Sequence, residues 1–367
     1  MKVIISGGGT GGHIFPAISI ANALKEIDPT IEILFVGAKG KMEMEKVPAA
    51  GYNIVGLPVA GFHRKINLRN ICRNFLFPFR LVSSMLKAGK IIKRFKPDVA
   101  VGVGGYASGP VLRRASKMGI PCLIQEQNSY PGVTNKLLSQ KAKKICVAYP
   151  DMERFFTAKK IITTGNPVRQ SLLTQTSREE AAAFFGLKSD KPVILVIGGS
   201  LGARSINNGI SQTIGDLNPD VQLLWQTGKF YYTDIAKLLE TLHIDNVRAF
   251  DFIKRMDLAF GLADIVISRA GASSISELAL LGKASILVPS PNVSEDHQTK
   301  NAMALVKKEA AIMVKDANTS QLLAEAQLVL TNKDQLTKLS KNIKNFAKPN
   351  AASDIAKEVI SLAQAKS

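Results

Sequence analysis

The sequence is poor in the residues that form covalent cross-links, metal sites and membrane spans. It has 3 cysteines and 4 histidines among 367 residues, and no two cysteines stand in a CxxC spacing. An odd number of cysteines without that spacing argues against a disulfide framework or a thiolate metal site. The apolar runs are about five to eight residues long, whereas a membrane-spanning helix needs roughly 20. The sequence therefore predicts reduced thiols, no bilayer-crossing segment and no metal site, and the start Met1-Lys2, which leads straight into a short strand, favours a chain without a secretory leader.

Acidic residues are scarce in the first half of the chain. Residues 1–165 hold 25 Lys+Arg and 9 Asp+Glu, whereas residues 166–367 hold 23 and 20. Between Glu45 and Asp98 there are eleven basic residues and no acid. Such a block is typical of a surface for nucleic acid or an anionic membrane, although it can also be a merely solvated basic face. Because no nucleic-acid-binding signature with stacking aromatics is present, we expect no nucleic-acid partner.

The chain is rich in short β-branched runs that alternate with helical patterns. Its length favours two domains, and 46% of its residues are apolar, which is enough for real cores. Strict alternation of strand and helix implies parallel sheets that are covered on both faces. The predicted strands are 3–6, 31–36, 99–103, 122–125, 144–147, 193–197, 221–225, 264–268 and 284–288.

Two glycine-rich loops repeat one strand–loop–helix pattern about 190 residues apart. GGGTGGH (7–13) follows the first predicted strand, and GGSLGAR (198–204) follows the strand at 193–197. Each pattern is typical of the first strand, phosphate-type loop and first helix of a doubly wound domain. We therefore predict an α/β fold with two Rossmann-like domains facing across a cleft, joined near residue 165.

The first loop matches the G-x-G-x-x-G pattern of dinucleotide-binding domains at Gly7, Gly9 and Gly12. Such a domain should carry an acid at the end of its second strand, where this chain has Lys39. A nicotinamide cofactor is therefore disfavoured. The loop still offers backbone N–H groups at a helix N-terminus, which stabilise anions. His13 opens that helix and can serve as a base or donor for a hydroxyl, or simply as a capping residue.

The second loop and a later element suggest a nucleotide site in the second half. The second loop adds the Ser200 hydroxyl but lacks the Gly-Lys-[Ser/Thr] ending of a P-loop, so it predicts a diphosphate cradle without ATPase machinery. SRAGASSISE (268–277) follows a predicted strand and opens a helix. Glu277 within it can accept two vicinal hydroxyls of a ribose, or it is only an acid near a helix N-terminus.

Seven motifs in order resemble the MurG family of bacterial peptidoglycan glycosyltransferases, in glycosyltransferase family 28. They are GGGTGGHIFPA (7–17), GVGGYASGP (102–110), EQNSYPGVTN (126–135), GNPVR (165–169), GGSLGAR (198–204), SRAGASSISE (268–277) and DHQTKNA (296–302). The resemblance implies a GT-B fold, with an acceptor and membrane-docking domain at 1–165 plus 350–367 and a UDP-GlcNAc-binding domain at 166–349. It implies inverting transfer of GlcNAc from UDP-GlcNAc to the C4 hydroxyl of MurNAc in lipid I, forming lipid II, without a cofactor.

The resemblance also implies roles for individual residues. Ser200 and its loop would hold the diphosphate, Glu277 the ribose, and Arg169 with the backbone of Ile253 the nucleoside. The full set of expected substrate-binding residues is Thr10, Gly11, Gly12, Asn128, Arg169, Ser200, Ile253, Ala272, Ser273, Ser274, Ile275, Ser276, Glu277 and Gln298. His13 is the candidate general base, with Tyr106 and Glu126 as reserve candidates.

The segment 71–95, ICRNFLFPFRLVSSMLKAGKIIKRF, carries the basic block as a largely helical pattern. Basic residues recur every seven positions and so line one face, beside aromatic residues. A basic stripe with exposed aromatics can lie on an anionic bilayer, although the aromatics could also be ordinary core. The candidate membrane residues are Arg73, Phe75, Phe77, Phe79, Arg80 and Lys87. We therefore expect a peripheral protein at the cytoplasmic face of the bacterial inner membrane, with other cell-wall synthesis proteins as further partners.

Three other functions are compatible with parts of the pattern. A related GT-B enzyme acting on another lipid acceptor, such as diacylglycerol, would keep the UDP half and the basic surface but not the motifs of the first half. A nicotinamide dehydrogenase would prefer NADH to UDP. A non-catalytic nucleotide sensor would bind UDP-sugar without turnover.

Overall fold

The computed structural model describes residues 1–59, 77–168, 172 and 176–365. The chain forms two compact units, Met1–Val168 with Lys348–Ser367, and Arg169–Ala347. The chain passes from the first unit to the second between residues 168 and 169 and returns between residues 347 and 348. We expected these boundaries at 165/166 and 349/350. All nine predicted strands are present, and their ends differ from the expected ones by at most two residues.

The first unit is a parallel seven-stranded sheet in the order β3-β2-β1-β4-β5-β6-β7. Its strands are β1 Lys2–Ser6, β2 Glu32–Ala38, β3 Asn53–Leu57, β4 Val99–Gly102, β5 Cys122–Glu126, β6 Lys144–Val147 and β7 Ile161–Thr163. Its helices are α1 Gly11–Ile27, α2 Glu43–Ala49, α3 Phe77–Phe95, α4 Ser108–Lys117, α5 Val133–Ser139 and α14 Ala351–Gln364. Strand β1 pairs Ile4 with Leu34 on β2 and with Ala100 on β4.

Both faces of this sheet are buried, which explains its uniformly apolar strands. Successive side chains point to opposite faces, so Ile5 packs in one core with Leu24, whereas Ile4 packs in the other with Leu112. The final helix, α14, lies on the first face against α1. Its buried residues Ile355, Ala356, Val359 and Leu362 form one apolar stripe at helical spacing, which ties the C-terminus to the first unit.

The second unit is a parallel six-stranded sheet in the order β10-β9-β8-β11-β12-β13. Its strands are β8 Val193–Ile197, β9 Gln222–Gln226, β10 Val247–Phe250, β11 Ile265–Arg269, β12 Ala284–Val288 and β13 Ile312–Met313. Its helices are α6 Arg178–Phe185, α7 Arg204–Thr213, α8 Tyr232–Thr241, α9 Met256–Leu262, α10 Ala272–Leu281, α11 His297–Val306, α12 Leu322–Thr331 and α13 Lys333–Lys344.

In both units the strand order reverses beside the strand that precedes a glycine loop. Strand β1 lies between β2 and β4, and β8 lies between β9 and β11. In such sheets the crevice at the carboxyl ends of the strands, at this switch point, is the usual ligand site. The two predicted loops therefore stand at the position where each unit is expected to bind its ligand.

The strands that the sequence pattern missed are the sheet edges. Strands β3 and β7 flank the first sheet, and β10 and β13 flank the second. Most of their side chains are half-buried rather than buried. An edge strand is covered less completely than a central one, so its apolar signal is weaker.

Candidate functional site

The first glycine loop turns sharply between β1 and α1. Gly8 and Gly9 have φ values of +151° and +88°, a region that favours glycine. Thr10 is extended at the helix N-cap, and α1 begins at Gly11. The His13 N–H donates to the Thr10 carbonyl oxygen at 3.1 Å, whereas the N–H groups of Gly11 and Gly12 lie at the very start of the helix, where the helix dipole attracts anions. Thr10, Gly11 and Gly12 thus lie where the sequence placed an anion-binding backbone.

His13 is the third residue of α1 and is half-buried. Its Nδ1 lies 3.2 Å from the Gly8 carbonyl oxygen and 3.2 Å from Thr10 Oγ1. Because a carbonyl oxygen only accepts hydrogen bonds, the contact with Gly8 requires Nδ1–H. A neutral imidazole in this tautomer has its lone pair on Nε2, as a general base needs.

A second loop of the same unit packs against the first. A Cβ on Gly104 would lie 2.8 Å from His13 Nε2, and one on Gly105 would lie 2.3 Å from the Gly8 carbonyl oxygen. Ser108 Oγ donates to the carbonyl oxygens of Ser6 at 2.6 Å and Gly104 at 2.9 Å. The structure therefore brings these two motifs together, with the Tyr106 side chain 54% exposed beside them.

The Glu126 side chain is buried and bonds to the segment that follows β5, rather than facing solvent. It is 1% exposed, and burial raises the pKa of its carboxyl group. Oε1 accepts from the Asn128 N–H at 3.0 Å and Nδ2 at 3.2 Å, while Oε2 accepts from the Gly132 N–H at 3.2 Å and Asn135 Nδ2 at 2.8 Å. With four donors on its two oxygens, Glu126 is placed to fix the position of Asn128, and this favours His13 as the base.

The second glycine loop has no space for a side chain at Gly202, whereas a Cβ on Gly199 would meet nothing within 4 Å. Gly199 and Gly202 have φ values of +94° and +75°. A Cβ on Gly202 would lie 1.9 Å from the Thr227 carbonyl oxygen, and one on Gly228 would lie 2.3 Å from the Leu201 carbonyl oxygen. The loop backbone thus lies directly against the turn after β9. Ser200 is exposed in this loop, just before α7.

Gln226 joins this loop to the segment after β10. Its side chain is buried, with Nε2 donating to the Gly199 carbonyl oxygen at 3.0 Å and Oε1 accepting from the Ile253 N–H at 2.9 Å. The N–H of Ile253 is therefore already bonded, and its carbonyl group is what this backbone can offer a ligand. No local pattern marks Gln226 in the sequence, because it is simply the last residue of a strand.

Replacing Gln226 with leucine should weaken the binding of a nucleoside diphosphate about tenfold. The substitution leaves the buried N–H of Ile253 without a partner, which costs about 1–3 kcal/mol, and it releases the loop at Gly199. Calorimetric titration with a nucleoside diphosphate will measure the change. The exposed Gln321 in the same unit provides the control, because Gln321→Leu should keep the wild-type Kd. Equal Kd values for the two variants would contradict this role of Gln226.

The motif at 268–277 forms the end of β11 and most of α10. Glu277 is half-buried on this helix, and Ser276 Oγ donates to the Ala272 carbonyl oxygen at 2.9 Å. Ala272 and Ile275 are buried, so their side chains pack inside the unit. Of the expected set, Ala272 and Ile275 can therefore contribute backbone groups only. Ser273, Ser274 and Glu277 are partly exposed, but the hydroxyl oxygen of Ser273 is buried.

An ion pair that the sequence did not reveal supports the start of α7. Arg269 Nη1 contacts Asp316 Oδ1, and Arg269 Nη2 donates to Ser205 Oγ at 2.7 Å. Ser205 Oγ in turn donates to Asp316 Oδ1 at 2.6 Å. These three side chains connect the end of β11 to the first turn of α7. They therefore fix the helix end that follows the second glycine loop.

Gln298 lies on α11 beyond a strained segment. Its Oε1 accepts from the Ser290 N–H at 2.9 Å, which ties the helix to the loop after β12. Glu295 and Asp296 have φ values of +58° and +50°, unusual for residues other than glycine. Such conformations cost energy and concentrate at ligand-binding segments. The expected substrate-binding residue Gln298 is thus next to strained backbone.

The basic segment forms α3 from Phe77 onward. Phe79, Val82 and Leu86 are 68%, 59% and 59% exposed and share one face of the helix. Arg80 and Lys87 are exposed on the adjacent face. One interpretation of the sequence allowed Phe79 to be a core residue, and its exposure excludes that interpretation. Within the described ranges, no helix has both the length and the apolarity to cross a membrane.

Some of the predicted residues lie outside the described part of the chain. Arg73, Phe75 and Arg169 belong to this group, and so does the side chain of Phe77. Among the residues that are described, no three or more His, Cys, Asp or Glu side chains form a cluster suited to a metal ion.

Comparison with known proteins places the chain in a family. The N-terminal domain model of glycosyltransferase family 28 matches residues 3–147, and the C-terminal domain model of that family matches residues 193–359. The chain belongs to glycosyltransferase family 28. A Bacteroides fragilis protein named UDP-N-acetylglucosamine--N-acetylmuramyl-(pentapeptide) pyrophosphoryl-undecaprenol N-acetylglucosamine transferase is 58% identical to it over 99% of this chain and 96% of that protein.

Solved structures give the same fold. The crystal structure of Acinetobacter baumannii MurG has a TM-score of 0.78 and 29% identity, and covers 98% of this chain and 99% of that one. The calicheamicin glycosyltransferase CalG4 has a TM-score of 0.69 at 12% identity, with 98% of each chain covered, and supports the fold alone. The predicted GT-B glycosyltransferase fold is confirmed.

Proposed function

We propose that this protein transfers GlcNAc from UDP-GlcNAc to the C4 hydroxyl of MurNAc in lipid I with inversion, producing lipid II and UDP for peptidoglycan synthesis. The observation that carries the proposal is the likeness, over nearly the whole chain, to a transferase whose name states this donor and acceptor. The two glycine loops add chemistry suited to a transfer with a charged leaving group.

The second unit binds UDP-GlcNAc in this proposal. The loop of Gly198–Ala203 and the N-terminus of α7 meet the diphosphate with N–H groups, and Ser200 adds a hydroxyl. Glu277 accepts the ribose hydroxyls, while Arg169 and the Ile253 carbonyl recognise the nucleoside. As the bond from C1 of GlcNAc to the diphosphate breaks, negative charge grows on the diphosphate, and the loop and helix dipole stabilise it.

The first unit binds the acceptor and activates its hydroxyl. His13 Nε2 takes the proton from the C4 hydroxyl while that oxygen attacks C1 of GlcNAc, and UDP leaves from the opposite side. In this step the C4 oxygen forms a bond to C1 of GlcNAc, the bond from C1 to the diphosphate oxygen breaks, and the hydroxyl proton moves to the imidazole. The acceptor phosphates lie by the loops at 7–13 and 102–110. Thr10, Gly11, Gly12, Asn128 and Gln298 contact the transferred sugar or its phosphate.

The exposed start of α3 holds the protein on the anionic cytoplasmic surface of the inner membrane. Its apolar face and the neighbouring basic side chains can enter the interface between head groups and acyl chains together. Each basic residue near such a surface contributes about 1 kcal/mol. A lipid-linked acceptor is presented at this surface, so docking brings the first unit to its substrate.

Replacing Leu86 with glutamate should weaken binding to vesicles that contain anionic lipid by about 10- to 100-fold. The change removes an apolar contact of about 1.5–3 kcal/mol at most and adds a repelled charge. Vesicle co-sedimentation will measure it. Leu328 is 61% exposed in the second unit, much like Leu86 at 59%, so Leu328→Glu is a matched control. A similar loss for both variants would rule out specific docking through α3.

An assay of acceptor choice tests the proposed reaction. The protein is incubated with labelled UDP-GlcNAc and either a short-chain lipid I analogue or diacylglycerol, with and without EDTA. We expect a GlcNAc–MurNAc disaccharide product with the lipid I analogue only, and the same rate with EDTA. Transfer to diacylglycerol, or UDP binding without any product, would replace the proposal with one of the alternative functions.

A further inference from the structure

A buried carboxylate lies beneath the first glycine loop. Glu43, the first residue of α2, is 1% exposed. Its Oε2 accepts from the Gly9 N–H at 2.9 Å, and its Oε1 accepts from the Ala38 N–H at 2.9 Å. One side chain therefore holds the end of β2 to the loop between β1 and α1.

Two glycines leave space for this carboxylate. A Cβ on Gly37 would lie 2.5 Å from Glu43 Cγ, and a Cβ on Gly8 would lie 2.2 Å from Glu43 Oε1. A side chain at either position would displace Glu43. The Glu43 carboxylate can therefore lie between the loop and the end of β2 only because positions 8 and 37 are glycine.

A single peptide unit separates Glu43 from His13. The N–H of Gly9 donates to Glu43, and the C=O of Gly8, in the same peptide unit, faces His13 Nδ1. Because a peptide unit is planar, and all peptide bonds of the described chain are trans, fixing the N–H fixes the direction of the C=O. The hydrogen bonds on the two sides of this unit also polarise one another.

We propose that Glu43 is a positioning residue that acts on His13 through the Gly8–Gly9 peptide. It directs the Gly8 carbonyl at Nδ1, which keeps the proton on Nδ1 and the lone pair on Nε2. In a carboxylate–histidine pair, the acid accepts directly from the imidazole N–H. Here the Gly8 carbonyl oxygen faces Nδ1 instead, and the Glu43 carboxylate accepts from the N–H of the same peptide unit. This proposal rests on the proposed function, in which Nε2 of His13 takes the proton of the acceptor hydroxyl.

The test compares Glu43→Gln with Glu45→Gln on the same helix. Glu45 has a 77% exposed side chain that pairs with Lys46, so its variant should behave as wild type. Glutamine at 43 has the shape of glutamate but turns an NH₂ group toward one of the two N–H donors. We expect kcat to fall about 10- to 100-fold. The KM for UDP-GlcNAc should stay within about twofold, because the donor loop lies in the second unit.

Two readouts separate positioning from loss of folded protein. The rate is divided by the fraction of folded molecules, measured by circular dichroism, because UDP binding would report only on the second unit. Imidazole ¹⁵N shifts report the tautomer of His13 directly, and they should change from Nδ1–H in the wild type to a mixture in Glu43→Gln. Gly37→Ala crowds the carboxylate without removing it and should lower kcat in the same direction.

An unchanged tautomer, or a loss of rate that only matches the loss of folded molecules, would overturn the role of Glu43. Failure of the wild-type protein to transfer GlcNAc would instead overturn the proposed function. The ¹⁵N measurement on His13 needs no turnover, so it decides the inference about Glu43 in either case.

Discussion

The His13→Ala variant is expected to lower kcat by about 10²- to 10⁴-fold, which is the usual contribution of a positioned general base. Its KM for UDP-GlcNAc should change little, because His13 is in the first unit and the proposed donor loop is in the second. Steady-state kinetics with a lipid I analogue will separate the two parameters. The effect should be among the largest of any single side chain, since proton transfer from the attacking hydroxyl depends on Nε2.

A histidine elsewhere in the fold serves as the control. His243 is exposed in the second unit and has a φ of +50°. Asparagine tolerates that conformation, so His243→Asn should keep the wild-type kcat. A His13→Ala protein that binds UDP-GlcNAc normally and turns over at a near-normal rate would remove His13 from the mechanism.

The Gly202→Ala variant should raise the KM for UDP-GlcNAc about 100-fold or more. The new methyl group would overlap the Thr227 carbonyl oxygen, at 1.9 Å, and alanine disfavours the φ of +75°. The loop must therefore move away from the turn after β9. Losing two charge-assisted hydrogen bonds from loop N–H groups to the diphosphate, at about 1.5–3 kcal/mol each, accounts for a change of this size.

Gly215 provides a matched control for Gly202, since a Cβ there meets nothing within 4 Å. Gly215→Ala should leave the KM unchanged.

The only tryptophan of the chain, Trp225, is fully buried and donates its Nε1–H to Asn207 Oδ1 at 3.1 Å. Its fluorescence reports whether each variant keeps a folded second unit. A Gly202→Ala protein with wild-type KM would exclude the loop as the diphosphate site.

The sequence was most informative about central strands and the loops that follow them. The strand at 193–197 ends at Ile197, directly before Gly198, as predicted, and the first strand ends at Ser6, directly before the first loop. Glycine runs after apolar strands have a local physical cause, because only glycine adopts their backbone angles without strain. The edge strands were missed because a partly covered strand needs fewer apolar residues. Ile312–Met313 is only two residues long, too short for any periodicity.

The residues that the sequence missed act through partners far away in the chain. Glu43 meets Gly9 across 34 positions, and Gln226 meets Ile253 across 27. No local pattern marks such pairs, since the topology of the sheet brings them together. Glu126 shows the converse case. A carboxylate within a family motif is a reasonable base on sequence, whereas the structure shows this one buried and accepting hydrogen bonds from Asn128 and Asn135, which the sequence does not reveal.

A crystal structure with bound UDP-GlcNAc will show whether the second glycine loop holds the donor through backbone N–H groups. We expect the diphosphate at Gly198–Ala203 and the start of α7, with the ribose at Glu277. A nucleotide bound at Gly7–His13, or one whose phosphates make no contact with the loop after β8, would contradict it.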